Sequence, residues 1–228
     1  MKSKMPKLPL RHKVAYKTKQ EYVYQILHQA IMECSLVPGE KLVISEIAKQ
    51  LDVSTIPVRE ALQLLLAEDL VNYNAHAGAI VAPITKDSIV ETFTIKEGLE
   101  SVATRVATSQ VTKADIEKMQ EKLLQMDGLL EGNNFDQWGE INADFHGLIV
   151  DIAKMPTLKA MHIKIVDKWN RIHKYYFSDV SNDRHAISQE EHYAIVNAIV
   201  NGESEQAELL TKRHNQNALK DYMAKLEV

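Results

Sequence analysis

A chain of 228 residues with 45% hydrophobic and 25% charged side chains has the composition of an ordinary globular protein, with room for two domains. One cysteine, Cys34, excludes an intrachain disulfide framework, and no run of about eighteen apolar residues offers a membrane span. The net charge of −4 is unevenly spread: Lys2, Lys4, Lys7, Arg11, Lys13, Lys17 and Lys19 lie in residues 1–20 with no acidic residue, which leaves 20 basic against 31 acidic residues in the remainder.

The basic start has no apolar h-region behind it, so no secretory signal is expected, and a lone thiol fits a reducing cytosol. The protein is therefore expected to be soluble and cytoplasmic, with Cys34 as a small buried apolar residue. Residues 1–18, with Pro6 and Pro9, read as a flexible basic arm. Such an arm either tracks phosphates or is a solvated tail.

Tyr22 to Leu36 carries Val23, Ile26, Leu27, Ala30 and Ile31 at helical spacing, and Val37-Pro38-Gly39 stops that helix. A second helix is expected over about 45–51 with Ser45 as N-cap. The turn Asp52-Val53-Ser54 leads to a third helix over about 55–68, with Pro57 in its first turn, where a missing amide costs nothing. Ile47, Ala48 and Leu51 can then close a small core with Val58, Leu62 and Leu65. The period changes to two after Leu70: Val71 and Tyr73 alternate with Asn72 and Asn74, Ala75-His76-Ala77-Gly78 turns, and Ile80 to Ala82 returns. Three helices and a hairpin make a winged helix-turn-helix over residues 19–83.

Residues 84–228 read as helix throughout, over about 86–109, 113–130, 135–153, 157–178, 188–201 and 204–225. Short connections imply antiparallel neighbours and a helical bundle. The expected fold is thus mainly α, a winged helix-turn-helix followed by an all-α antiparallel bundle.

In the first domain the leading end of the third helix faces the major groove, where base edges are readable. Ser54, Thr55 and Arg59 lie on that end. Arg59 either contacts guanine or phosphate, or pairs with a nearby glutamate on the surface. Gly78 allows close backbone approach by the wing, and His76 reaches a sugar or phosphate. In the bundle, Asn142 and His146 stand at i and i+4 on one helix face, and His192 and His214 lie on later helices. Three imidazoles and an amide oxygen can hold a divalent metal with positions left open, although a lone helical histidine is more often an ordinary hydrogen-bonded residue. His12, His28, His162, His173 and His185 match no ligand pattern. Asp144 points about 160° round the helix from His146 and is set aside.

The stretches Leu42 to Ala48, Leu51-Asp52-Val53-Ser54-Thr55-Ile56-Pro57-Val58-Arg59-Glu60-Ala61-Leu62 and Leu66-Ala67-Glu68-Asp69-Leu70-Val71 resemble the DNA-binding domain of the GntR family, and Gly78 stands where that family's wing glycine is expected. Asn142-Ala143-Asp144-Phe145-His146, Glu191-His192 and Arg213-His214 resemble the signature stretches of the FCD ligand-binding domain of the FadR-type branch. The resemblance implies zinc or nickel on Asn142, His146, His192 and His214, and a small organic acid as effector. Lys96 occupies the place of a family arginine on the first bundle helix; it either pairs with an effector carboxylate or forms a salt bridge to Glu97 or Glu100. Arg105 and Arg171 are weaker effector candidates. Two positions depart from the family: Ser45 and Thr55 stand where arginines are common, so DNA contact falls more heavily on Arg59 and the basic arm.

The reading from sequence is a homodimeric, non-enzymatic repressor on a palindromic operator, released by an organic-acid effector. The rival is a metal-dependent hydrolase using the Asn/His cluster.

Overall fold

The computed structural model describes residues 6, 8, 18–74, 78–176 and 182–226. They divide into two compact units, Met1–Thr85 and Lys86–Val228.

The first unit contains α1 (Lys19–Met32), α2 (Ile44–Gln50), α3 (Thr55–Ala67) and an antiparallel hairpin of β1 (Val71–Asn74) and β2 (Gly78–Val81). Thr18 caps α1 by accepting from the Glu21 amide at 3.0 Å. α1 buries Val23, Ile26, Leu27, Ala30 and Ile31 against α3, and α2 contributes Ile47 and Ala48. All six residues expected to close the helix-turn-helix core are buried, with Ile47, Val58, Leu62 and Leu65 fully so. The hairpin pairs Val71 with Val81 and Asn74 with Gly78.

Three local expectations are corrected. α1 ends at Met32 rather than Leu36, because Cys34 turns left-handed at φ 54 and the Leu36 amide reaches back to the Ala30 carbonyl at 3.0 Å. Leu36 kept the apolar pattern because it is fully buried, but it gets there from outside the helix. Cys34 itself is half-buried. Ser45 is not the N-cap of α2: Val43 holds that place without a side-chain cap bond, and Ser45 is exposed in the first turn. The segment after the Val37-Pro38-Gly39 stop also does more than connect. The Gly39 amide donates to Val81 (3.0 Å), Val81 to Glu40 (2.8 Å) and Leu42 to Ala79 (2.9 Å), so residues 39–42 lie along β2 like a third strand.

The second unit holds α4 (Lys86–Thr108), α5 (Lys113–Glu131), α6 (Phe135–Ile152), α7 (Pro156–Tyr176), α8 (Asn182–Val200) and α9 (Ser204–Leu226). α4 packs on α9, α7 and α6, while α5 packs on α6 and α8. A capping box starts α5: the Thr112 hydroxyl accepts from the Asp115 amide, and the Asp115 carboxylate accepts from the Thr112 amide. Met119, Leu123, Met126, Phe145, Ile149, Ile195 and Ile199 build the core. α8 starts six residues before the expected 188, because Arg184 and His185 are buried and polar and carry no apolar signal.

Truncating a core residue should separate from truncating a surface one. Leu62→Ala, at a fully buried position, is expected to cost about 2–5 kcal/mol in urea unfolding. Leu124→Ala, at a side chain 67% exposed, should stay within about 0.5 kcal/mol.

Candidate metal centre and nucleic-acid interface

The first unit presents the leading end of α3 to solvent. Ser54 is its N-cap in extended conformation, and its side chain makes no cap bond. Ser54, Thr55 and Arg59 are exposed, as is Ser45 on α2. Gly78 begins β2 with φ +80, and a Cβ there would meet nothing within 4 Å. Backbone conformation, rather than crowding, asks for glycine at that position. His76 lies outside the described residues. One exposed residue on this end had no role in the sequence reading: Ile56, 66% exposed.

In the second unit, α6 carries Asn142 and His146, α8 carries His192 and α9 carries His214. The three imidazoles converge, with ligand-type atoms all within 4.8 Å of one another. Their ring centroids stand 4.7–5.2 Å apart. All three rings are buried, His192 completely. Burial pushes the pKa of each below the ordinary histidine range, outweighing Glu100 beside His146 and Glu191 beside His214, so the rings are neutral with a lone pair each.

Four buried polar atoms on Asn142, His146 and His192 have no hydrogen-bond partner: Asn142 Oδ1, His146 Nε2, and Nδ1 and Nε2 of His192. Native interiors rarely leave such atoms unpaired, because each costs about 1–3 kcal/mol. One oxygen and neutral imidazole nitrogens are also the donor set a divalent transition metal accepts. The residues present therefore fit such an ion. Asp144 faces away, its side chain 64% exposed and paired with Lys122 at 3.0 Å.

Two carboxylates stand behind the histidines. Glu191 Oε2 lies 2.7 Å from His214 Nδ1, and Glu191 also accepts from Arg184 Nη2 (2.9 Å) and Asn217 Nδ2 (2.7 Å). With Nδ1 engaged, Nε2 is the nitrogen that His214 could offer to a ligand. Glu100 Oε2 lies 3.5 Å from His146 Nδ1. It accepts from Lys96 (2.8 Å) and Asn215 (2.9 Å), and Oε1 faces His162 Nε2 at 3.0 Å. Burial would raise the pKa of Glu100, but Lys96, His146 and His162 outweigh it and hold the carboxyl well below its usual range.

The effector candidates separate. Lys96 is buried and bonded to Glu100 and to Asn215 Oδ1 at 3.0 Å, so of its two sequence-derived alternatives the Glu100 salt bridge is the one formed. Arg105 has a side chain 51% exposed and stands 3.6 Å from Glu208, at the surface. Arg171 is buried on α7. Sequence reasoning gave no site role to His162, Asn215, Glu100 or Glu191. The last two had visible signals, Glu100 four residues after Lys96 and Glu191 beside His192. His162 and Asn215 had none, since only the packing of α7 and α9 on α4 brings them to Glu100.

These neutral histidines set the acid limit of the fold. The pKa of His173 is lowered to about 4 by burial, and those of His146, His192 and His214 are lowered too. Below pH 6.5 the unfolded chain binds protons that the folded chain refuses, so stability falls as pH drops from 6.5 through 4. Glu100, held below its ordinary value, adds a further loss below about 4.5. Urea midpoints of metal-stripped protein should decline steadily over that range, and a flat profile would contradict the buried neutral rings.

Residues 19–81 match the bacterial regulatory proteins of the gntR family, and residues 91–217 match the FCD domain. The transcriptional repressor RspR of Escherichia coli K12 is 28% identical over 133 residues, which span 58% of each chain, little more than half of that relative's length. A probable D-xylose utilization operon transcriptional repressor of Paenarthrobacter nicotinovorans is 30% identical over 173 residues, 74% of this chain and 73% of that one. Among solved structures, E. coli McbR/YncC superposes with TM-score 0.72 at 21% identity, covering 92% of this chain and all of that one. A regulator from Rhodococcus sp. RHA1 superposes with TM-score 0.69 at 22% identity, covering 90% and 98%. A gntR-type helix-turn-helix at one end and an FCD bundle with converging histidines at the other place this chain in the GntR family of bacterial regulatory proteins, in its FCD-containing branch.

Proposed function

We propose that this protein is a DNA-binding transcription repressor whose FCD bundle senses a small molecule at a metal-containing site. The observation that carries the sensing half is the set of four unpartnered buried polar atoms on Asn142, His146 and His192, together with the convergence of His146, His192 and His214. Asn142, His146, His192 and His214 would hold the ion, zinc or nickel as the resemblance to the FCD domain implies. A bound divalent ion supplies a Lewis-acidic centre whose remaining positions suit an oxygen ligand such as an organic acid's carboxylate. Glu191 orients His214, and Glu100 backs His146, as carboxylates commonly do behind metal-ligating imidazoles.

In the DNA half, Arg59, Thr55 and Ser54 meet the duplex at the leading end of α3, Gly78 admits the wing, and Ser45 adds a hydroxyl beside them. His76 belongs to the same reading of the wing. One such unit buries too little DNA for tight specific binding, so a homodimer on a palindromic operator is proposed. Effector binding must favour one dimer geometry to have any effect, and the proposed outcome is release of the operator. The hydrolase alternative has no support: both carboxylates beside the histidines are engaged in ion pairs, and the matched domains are those of regulators.

Four variants test this. Metal content by elemental analysis of protein purified without chelator should fall strongly in His146→Ala and His214→Ala; unchanged content in both would overturn the site. Glu191→Gln should keep the fold by circular dichroism, yet weaken zinc binding about 10–100-fold in chelator competition. Arg59→Ala should reduce affinity for the bound duplex about tenfold or more in gel shifts, while leaving metal content alone. Affinity equal to that of the unsubstituted protein would remove Arg59 from the interface.

A further inference from the structure

At the leading end of α3 the solvent face is polar except at Ile56. Ile56, Arg59, Glu60 and Gln63 are all exposed, and their positions fall within about 100° of arc on the helix. Ile56 is 66% exposed, more than Leu64 at 43% or Tyr73 at 48% in the same unit. A single exposed aliphatic side chain means little by itself. Its position gives it meaning: Ile56 is the second residue of a helix whose first turn contains no acidic residue, next to Thr55 and one turn before Arg59. A β-branched apolar side chain gains nothing from water there, and the helix would start as well on a polar residue.

We propose that Ile56 reads the 5-methyl group of a thymine in the major groove. This rests on the regulator reading above and adds a specificity-determining residue to it. The major groove offers one apolar feature, the thymine methyl, and an aliphatic side chain is its complement. The rise from Ile56 to Arg59 is about 4.5 Å along the helix, so the T·A pair lies within about two base pairs of the pair that Arg59 contacts. A hydroxyl or guanidinium at this position would instead bond phosphate or a base edge. Isoleucine therefore selects for the presence of a methyl group, which uracil lacks.

The test uses the full-length protein and a duplex that it selects from a randomised library. Thymines in the selected duplex are then replaced one at a time by deoxyuridine, which removes only the methyl. At one position in each half-site the change should weaken binding by about fourfold, the effect of one methyl group withdrawn from an apolar contact. Ile56→Ala should bind the thymine duplex more weakly by a similar factor and show no further loss with uracil. Ile56→Val should retain the sensitivity. The substituted side chain is exposed, and alanine favours helix, so circular dichroism and metal content should be unchanged. Uracil insensitivity of the unsubstituted protein at every position would overturn the proposal, as would full sensitivity in Ile56→Ala. Were no duplex enriched at all, the regulator reading would fail and this proposal with it; enrichment without uracil sensitivity defeats this proposal alone.

Discussion

The second unit is organised around the cost of burying three uncharged imidazoles at one point. Desolvation keeps His146, His192 and His214 neutral, and neutral rings can approach within 4.7–5.2 Å without mutual charge repulsion. Three helices, α6, α8 and α9, meet at that point, so their relative placement in the bundle and the geometry of the cluster are the same fact. A shift of any one helix separates ligand atoms from one another.

Glu100 extends this constraint to the other helices. It sits on α4, faces His146 of α6, and engages His162 of α7 and Asn215 of α9 while holding Lys96. The carboxylate is buried and ionised, so its neighbours must supply the charge and hydrogen bonds that water would have provided. A change at the histidines therefore reaches four helices through one side chain. α4 begins at Lys86, the first residue after the first unit. In the proposed function this gives an effector a physical route by which to bias the bundle, through a connected set of hydrogen bonds rather than distance alone.

The first unit solves a smaller problem with fewer residues. Its core needs Ile47, Ala48, Leu51, Val58, Leu62 and Leu65 to seat α3 on α2, and a short sheet, widened by residues 39–42, to fix the wing. Everything on the outer face of α3 is then released from packing, which is why side chains as different as Ile56 and Arg59 stand there together.

Periodicity alone determined much of this protein. The 3.6-residue spacing of buried aliphatics located the helices, the switch to period two located the wing, and the i, i+4 spacing put Asn142 and His146 on one turn, because these patterns are properties of local backbone geometry. His192 and His214 joined that pair as candidates on later helices, and resemblance to the FCD domain supported the four as one set. Tertiary structure alone decided the rest. That Lys96 would also bond Asn215, which atoms of the histidines stayed unpartnered, that residues 39–42 would line β2, and that polar Arg184 and His185 would be buried in the first turns of α8 all depend on contacts between residues far apart in the chain. Local spacing carries no information about such contacts, since they exist only once the helices have packed.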